Sequence, residues 1–143
     1  MNLSDIVKTY LDDGYANASA ISKMCQDVIL LKIKNSTLTK NIAIKGGVVL
    51  MALSKDKRRA TQDLDVDFIK YSLNDESISA FINKLSDSNV KVKITLPMKK
   101  LNHQDYEGKR VFIELSDKFG NKYSAKLDIG VLAFIKSLEL VEV

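Results

Sequence analysis

The stretch Arg59-Ala60-Thr61-Gln62-Asp63-Leu64-Asp65-Val66-Asp67-Phe68 sets carboxylates at alternate positions among branched and aromatic apolar residues, shortly after the glycine pair Gly46-Gly47. Alternation with period two marks a strand, whose successive side chains point to opposite faces. Extended, the segment puts Asp63, Asp65 and Asp67 on one face and Leu64, Val66 and Phe68 on the other. The apolar face belongs to a core. Three like charges then share the opposite face, where they are held together only by good solvation or by shared cations. A half-exposed strand without metal shows the same alternation, so the triplet alone leaves both readings open. A calcium-binding EF-hand loop is excluded, because it needs Gly at its sixth position and Glu at its twelfth, and counted from Asp63 these are Phe68 and Asn74.

Working outward, Asn41-Ile42-Ala43-Ile44 is a short apolar run that stops at Gly46-Gly47, and residues 48–53 have the unbroken apolar character of a buried helix. The order is strand, glycine turn, helix. Nearer the N-terminus, Ser4 followed by Ile6, Val7, Tyr10 and Leu11 predicts a capped helix, and residues 20–33 predict a second. Downstream, Asp75-Glu76-Ser77 opens a helical pattern that runs to Leu85, and residues 90–96 alternate as a strand up to Pro97, the only proline. Residues 110–115 and 123–131 read as strands joined through Ser116-Asp117-Lys118-Phe119-Gly120-Asn121-Lys122, whose glycine and asparagine suit a hairpin turn. They are expected to be antiparallel neighbours. The polar run Leu101-Asn102-His103-Gln104-Asp105 reads as a surface loop, and His103, the only histidine, as a loop residue rather than a base.

The chain has 143 residues, 45% of them hydrophobic and 28% charged, which is room for one domain with a real core. No apolar run approaches a membrane span and the N-terminus lacks the layout of a signal peptide, so a cytoplasmic location is expected. Cys25 is the only cysteine, which excludes an intrachain disulfide, and its apolar-periodic neighbourhood points to core packing. The formal charge of +4 is modest, but Lys55, Lys57, Arg58 and Arg59 form one cluster and Lys91, Lys93, Lys99 and Lys100 another. Such clusters are either solvated faces or the footprint of a polyanion.

Two further features bear on the acidic strand. A glycine pair between a strand and a helix lets backbone amides approach a phosphate with no side chain in the way. In Lys126-Leu127-Asp128-Ile129-Gly130 a further acid sits in an apolar strand, from which Asp128 would reach the Asp63/Asp65 face if the strands were neighbours.

The set formed by Lys45-Gly46-Gly47-Val48-Val49-Leu50, by Arg59-Ala60-Thr61-Gln62-Asp63-Leu64-Asp65 and by Leu127-Asp128-Ile129-Gly130 resembles the polymerase-beta-like nucleotidyltransferase superfamily and, within it, the AbiEii/AbiGii nucleotidyltransferase toxins. The resemblance spans residues 42–130. It implies an α+β fold of the polymerase-beta type, with a mixed, mostly antiparallel sheet and helices packed on one face. It also implies a single nucleotidyltransferase domain over residues 1–143, with N-terminal helices in 1–40 and a catalytic core in 41–131. By the same resemblance Asp63, Asp65 and Asp128 are the catalytic and metal-binding acids, and Lys45, Gly46, Gly47, Arg59 and Thr61 bind the nucleotide, Arg59 either on phosphate or paired with an acid. The implied cofactor is Mg²⁺ or Mn²⁺. The implied partners are a nucleoside triphosphate, an RNA acceptor such as tRNA, and a cognate antitoxin protein.

Three departures stand out. Val48 occupies a position where the family usually has threonine, Asp67 is an acid beyond the pattern and is expected to face solvent at the strand's far end, and the family's helical C-terminal region has no counterpart in this length. A shortened or reduced member is therefore expected, and a catalytically silent binding module that keeps the fold is the alternative. A two-metal nuclease would usually need an acid followed two residues later by lysine on one strand, which Glu114-Leu115-Ser116 does not supply.

Overall fold

In a computed structural model of the chain, the residues described are 1–37, 42–44, 64–69, 72–103 and 106–131. They form three helices and a six-stranded sheet: α1 (Leu3–Asp12), α2 (Asn17–Lys34), β1 (Ile42–Ile44), β2 (Leu64–Phe68), α3 (Asp75–Leu85), β3 (Val90–Ile94), β4 (Lys99–His103), β5 (Tyr106–Asp117) and β6 (Lys122–Val131). The glycine turn and the helix expected after it lie outside the described residues.

The strand order is β1-β2-β6-β5-β3, with β4 also paired to β5. Only β2 and β6 run parallel, and the other four pairings are antiparallel. The sheet is therefore mixed and mostly antiparallel, as expected. Its long strand, β5, is shared: β3 pairs with its C-terminal half through Ile94↔Ile113, and β4 with its N-terminal half through Lys99↔Arg110. Pro97 falls between those two pairings, where its missing N–H removes no ladder bond.

Alternation settles the faces. Leu64, Val66, Phe68, Val90, Val92, Val111, Ile113, Leu115, Leu127 and Ile129 are all buried and share one face with the core residues of the helices. Three contacts show that α1 and α3 lie on this face. The Phe68 ring meets Phe81 of α3 edge to face at 5.3 Å, Lys109 of β5 pairs with Asp75 of α3, and Asp117 of β5 accepts the Leu3 N–H of α1 at 2.8 Å. The α2 helix contributes Ala20, Met24, Cys25, Val28, Ile29 and Ile33 to the same core. Burial pushes the Cys25 thiol up to about 12, so it stays a protonated packing group.

The local signals match the structure except at the cap of α1 and in one strand. The N-cap of α1 is Asn2, whose side chain accepts from the Asp5 N–H, while Ser4 is already inside the helix and its hydroxyl meets Asn121 Oδ1 and Tyr123 Oη, each at 2.7 Å. The α3 helix begins at Asp75 as expected, and Asn74 caps it by accepting from the Ser77 N–H. The segment expected to be a loop around His103 is instead the edge strand β4, with His103 opposite Tyr106. Its polar, lysine-rich composition is what an edge strand uses against unwanted pairing, and it hides the apolar alternation that betrays inner strands.

Candidate active site

The acids come together because β2 and β6 are parallel neighbours in a register that sets Asp65 directly opposite Asp128. Opposed residues share a face and strands lie about 4.8 Å apart, so the two carboxylates are immediate neighbours. The face they share is the one opposite the core. Asp128 in turn opposes Arg110 across the β5–β6 ladder, and Arg110 opposes Lys99 of β4. One row across four strands thus reads Asp65, Asp128, Arg110, Lys99.

Arg110 holds Asp128 by a fork: Nε donates to Oδ1 at 2.8 Å and Nη2 donates to Oδ2 at 3.0 Å. The side chains are 29% and 14% exposed, so the pair is only partly open to water. Paired charge-assisted bonds of this kind fix the plane of the carboxylate as well as balancing its charge. They also resolve why two acids tolerate adjacent positions, since the guanidinium offsets one of the two charges. An ionised carboxylate has about four acceptor sites, and Arg110 takes one on each oxygen. Asp128 therefore keeps acceptor capacity on both oxygens.

Hard oxygen donors from two adjacent strands suit Mg²⁺ or Mn²⁺, which are commonly held by one or two carboxylates together with substrate phosphates. The donor set present fits such an ion. Asp63 lies outside the described residues, as do Lys45, Gly46, Gly47, Arg59 and Thr61, and among the described residues no three His, Cys, Asp or Glu side chains group as a metal site. Asp67 does not face open solvent at a free strand end as expected. It is 6% exposed, on an inner strand rather than a free edge, in register with Ala43 of β1 and Gly130 of β6.

Arg110 is the functional candidate that sequence reading missed. The signal was present in the hairpin: with Ser116 opposite Lys122, stepping six residues back along β5 and forward along β6 brings Arg110 opposite Asp128.

A parallel strand pair that sets one acid from each strand side by side, with an arginine clamp on a third strand, is carried by an α+β protein on the sheet face opposite its core. A model of the AbiEii family, described as the nucleotidyl transferase AbiEii toxin of type IV toxin–antitoxin systems, matches residues 28–143, and the chain belongs to that family. No individual curated protein gives a match. No described helix is long and apolar enough to cross a membrane.

Proposed function

We propose that the chain transfers a nucleoside monophosphate from a nucleoside triphosphate to the hydroxyl of an RNA acceptor, as the toxin partner of a cognate antitoxin protein. The observation that carries this reading is the Asp65–Asp128 register across β2 and β6, which supports a polymerase-beta-like arrangement in a chain of the AbiEii family.

Asp65 and Asp128, with Asp63, would hold Mg²⁺ or Mn²⁺, which when bound supplies positive charge to the phosphates and lowers the pKa of an attacking hydroxyl. The protein's own part is positional. Arg110 holds Asp128 in one orientation through its two hydrogen bonds, so the carboxylate is placed to take the proton of the acceptor hydroxyl as its oxygen attacks the α-phosphorus. The bond from that phosphorus to the bridging oxygen breaks, and pyrophosphate leaves. Gly46 and Gly47 would cradle the triphosphate through backbone N–H groups, with Lys45, Arg59 and Thr61 contributing side-chain donors. Val48 supplies no hydroxyl there.

The test is to incubate the chain with each of the four α-labelled nucleoside triphosphates, Mg²⁺ and total cellular RNA. Label covalently attached to RNA is the expected result. Label on protein instead redirects the function to protein modification, and no transfer from any nucleotide favours the silent binding module.

A further inference from the structure

The face that carries Asp65 and Asp128 has a second property. Following β5 away from the acid row, each step of two residues opens a new row on the same face. Phe112 stands opposite Lys126 of β6. Glu114 stands between Lys93 of β3 and Ser124 of β6, and Ser116 between Lys91 of β3 and Lys122 of β6. Lys91, Lys93, Lys122 and Lys126 are exposed, and Phe112, beside Lys126, is half-buried. The single anion of these rows, Glu114, is matched by Lys93 at 3.7 Å, and Lys91, Lys122 and Lys126 have no ion pair among the described residues. Among the described residues, three cations without an ion pair therefore share one sheet face with an aromatic ring, Lys126 beside it and Lys91 and Lys122 two rows further along. The six residue-to-residue steps from Ser116 to Arg110 make the strip about 20 Å long at roughly 3.4 Å per step.

Protection of sheet edges accounts for lysines on β3, where a charge on either face would serve. It does not account for cations from both margins converging on one face, for an aromatic placed between the basic rows and the acid row, or for their alignment with an acid pair. A strip of spaced positive charges with an aromatic platform is the chemistry that holds a single-stranded nucleic acid, the cations following the phosphates and the ring stacking a base.

We propose that this strip, Lys91, Lys93, Lys122 and Lys126 with Phe112 at its acid-row end, is the track on which a single-stranded segment of the RNA acceptor lies, with its reactive hydroxyl delivered to the Asp65/Asp128 row. The proposal rests on the reading of the chain as an RNA nucleotidyltransferase and adds where the acceptor is gripped. It divides the work of the open face, with the acid row taking the triphosphate and the basic rows the acceptor backbone.

The experiment measures binding of a short, fluorescently labelled single-stranded RNA to the full chain by anisotropy over a range of salt. The triple variant Lys91→Gln/Lys122→Gln/Lys126→Gln should bind about tenfold more weakly, with the log–log salt slope reduced by about 2, because each phosphate contact on a single strand contributes roughly 0.7. A triple variant with the same charge change on the helices, Lys8→Gln/Lys34→Gln/Lys84→Gln, should bind nearly as wild type, and Phe112→Leu should weaken binding without changing the slope. Equal losses in the two triple variants, or none in the first, overturn the track. So does a first triple variant that keeps RNA affinity and loses affinity for an acidic protein partner. Because binding is read without chemistry, a wild-type chain that binds RNA on this strip yet transfers no label refutes the transfer reading alone.

Discussion

Arg110 and Asp128 together illustrate how one register choice sets the behaviour of a single carboxylate. In the intact protein Asp128 is only 14% exposed; truncating Arg110 removes its fork, and a charge-assisted pair of this sort is worth about 1.5–3 kcal/mol, less where water reaches it. Arg110→Ala should therefore lower the urea-unfolding free energy by about 1–2 kcal/mol. A cycle with Asp128→Ala should return a coupling of about 1 kcal/mol, checked by equilibrium unfolding of the four proteins. Arg110→Lys should recover little of it, because an ammonium cannot reproduce the two parallel bonds. Asp65→Asn makes a different prediction. The amide keeps the volume and removes one of two adjacent like charges, so the circular dichroism spectrum should be unchanged and the melting temperature equal to or slightly above wild type. Nucleotide transfer should fall by at least about 100-fold.

At the scale of elements, the β5–β6 turn and the start of α1 are tied through Asp117. Its carboxylate accepts from the Leu3 N–H, from the Asn121 backbone and side chain, and from the Phe119 N–H. Partial desolvation works to raise its pKa, but these four donors outweigh it and hold the group at about 2. Asp87 is likewise held at about 2, against desolvation, by Lys32 and by the N–H groups of Val90 and Asn89. A carboxylate whose folded pKa lies below its unfolded value near 4 stabilises the fold above about pH 4, and that contribution drains away as pH falls toward 2. Asp117→Asn should thus be less stable than wild type at neutral pH, with the gap closing as thermal melts are taken from about pH 5 down to about pH 2. A gap that widens on acidification would reverse the sign. On the core side, β2 is anchored to α3 by the Phe68–Phe81 contact, with both rings fully buried. Phe81→Ala should cost about 3–5 kcal/mol in chemical denaturation, the usual range for removing a buried aromatic.

For the whole molecule, what was legible in the sequence was whatever a core face imprints on it. The apolar periodicity of α1, α2 and α3 and the alternation of β2, β3, β5 and β6 report burial directly. The polar edge strand β4 buries too little to leave that imprint, and its existence depends on pairing with β5, a long-range event that Lys99-Lys100-Leu101-Asn102-His103 does not announce. Pairing likewise decided the site. The acids were visible as residue types, but their adjacency follows from the parallel β2–β6 register, and Asp67 is buried on an inner strand where the sequence pattern pointed to a free end. Arg110 looked like an ordinary strand cation until the hairpin register set it against Asp128. Local chemistry thus named the candidates, and topology chose among them.

The central claim is that Asp65 and Asp128, from two strands, act as one divalent-cation site in the presence of nucleotide. Its most direct test is Mn²⁺ binding followed by electron paramagnetic resonance with a non-hydrolysable nucleoside triphosphate, comparing wild type with Asp65→Asn and Asp128→Asn. A site shared between the strands predicts that each variant alone weakens nucleotide-dependent Mn²⁺ binding by at least about tenfold while remaining folded, since either loss removes a hard, charged ligand. Wild-type Mn²⁺ affinity in both folded variants, with nucleotide present, would contradict it.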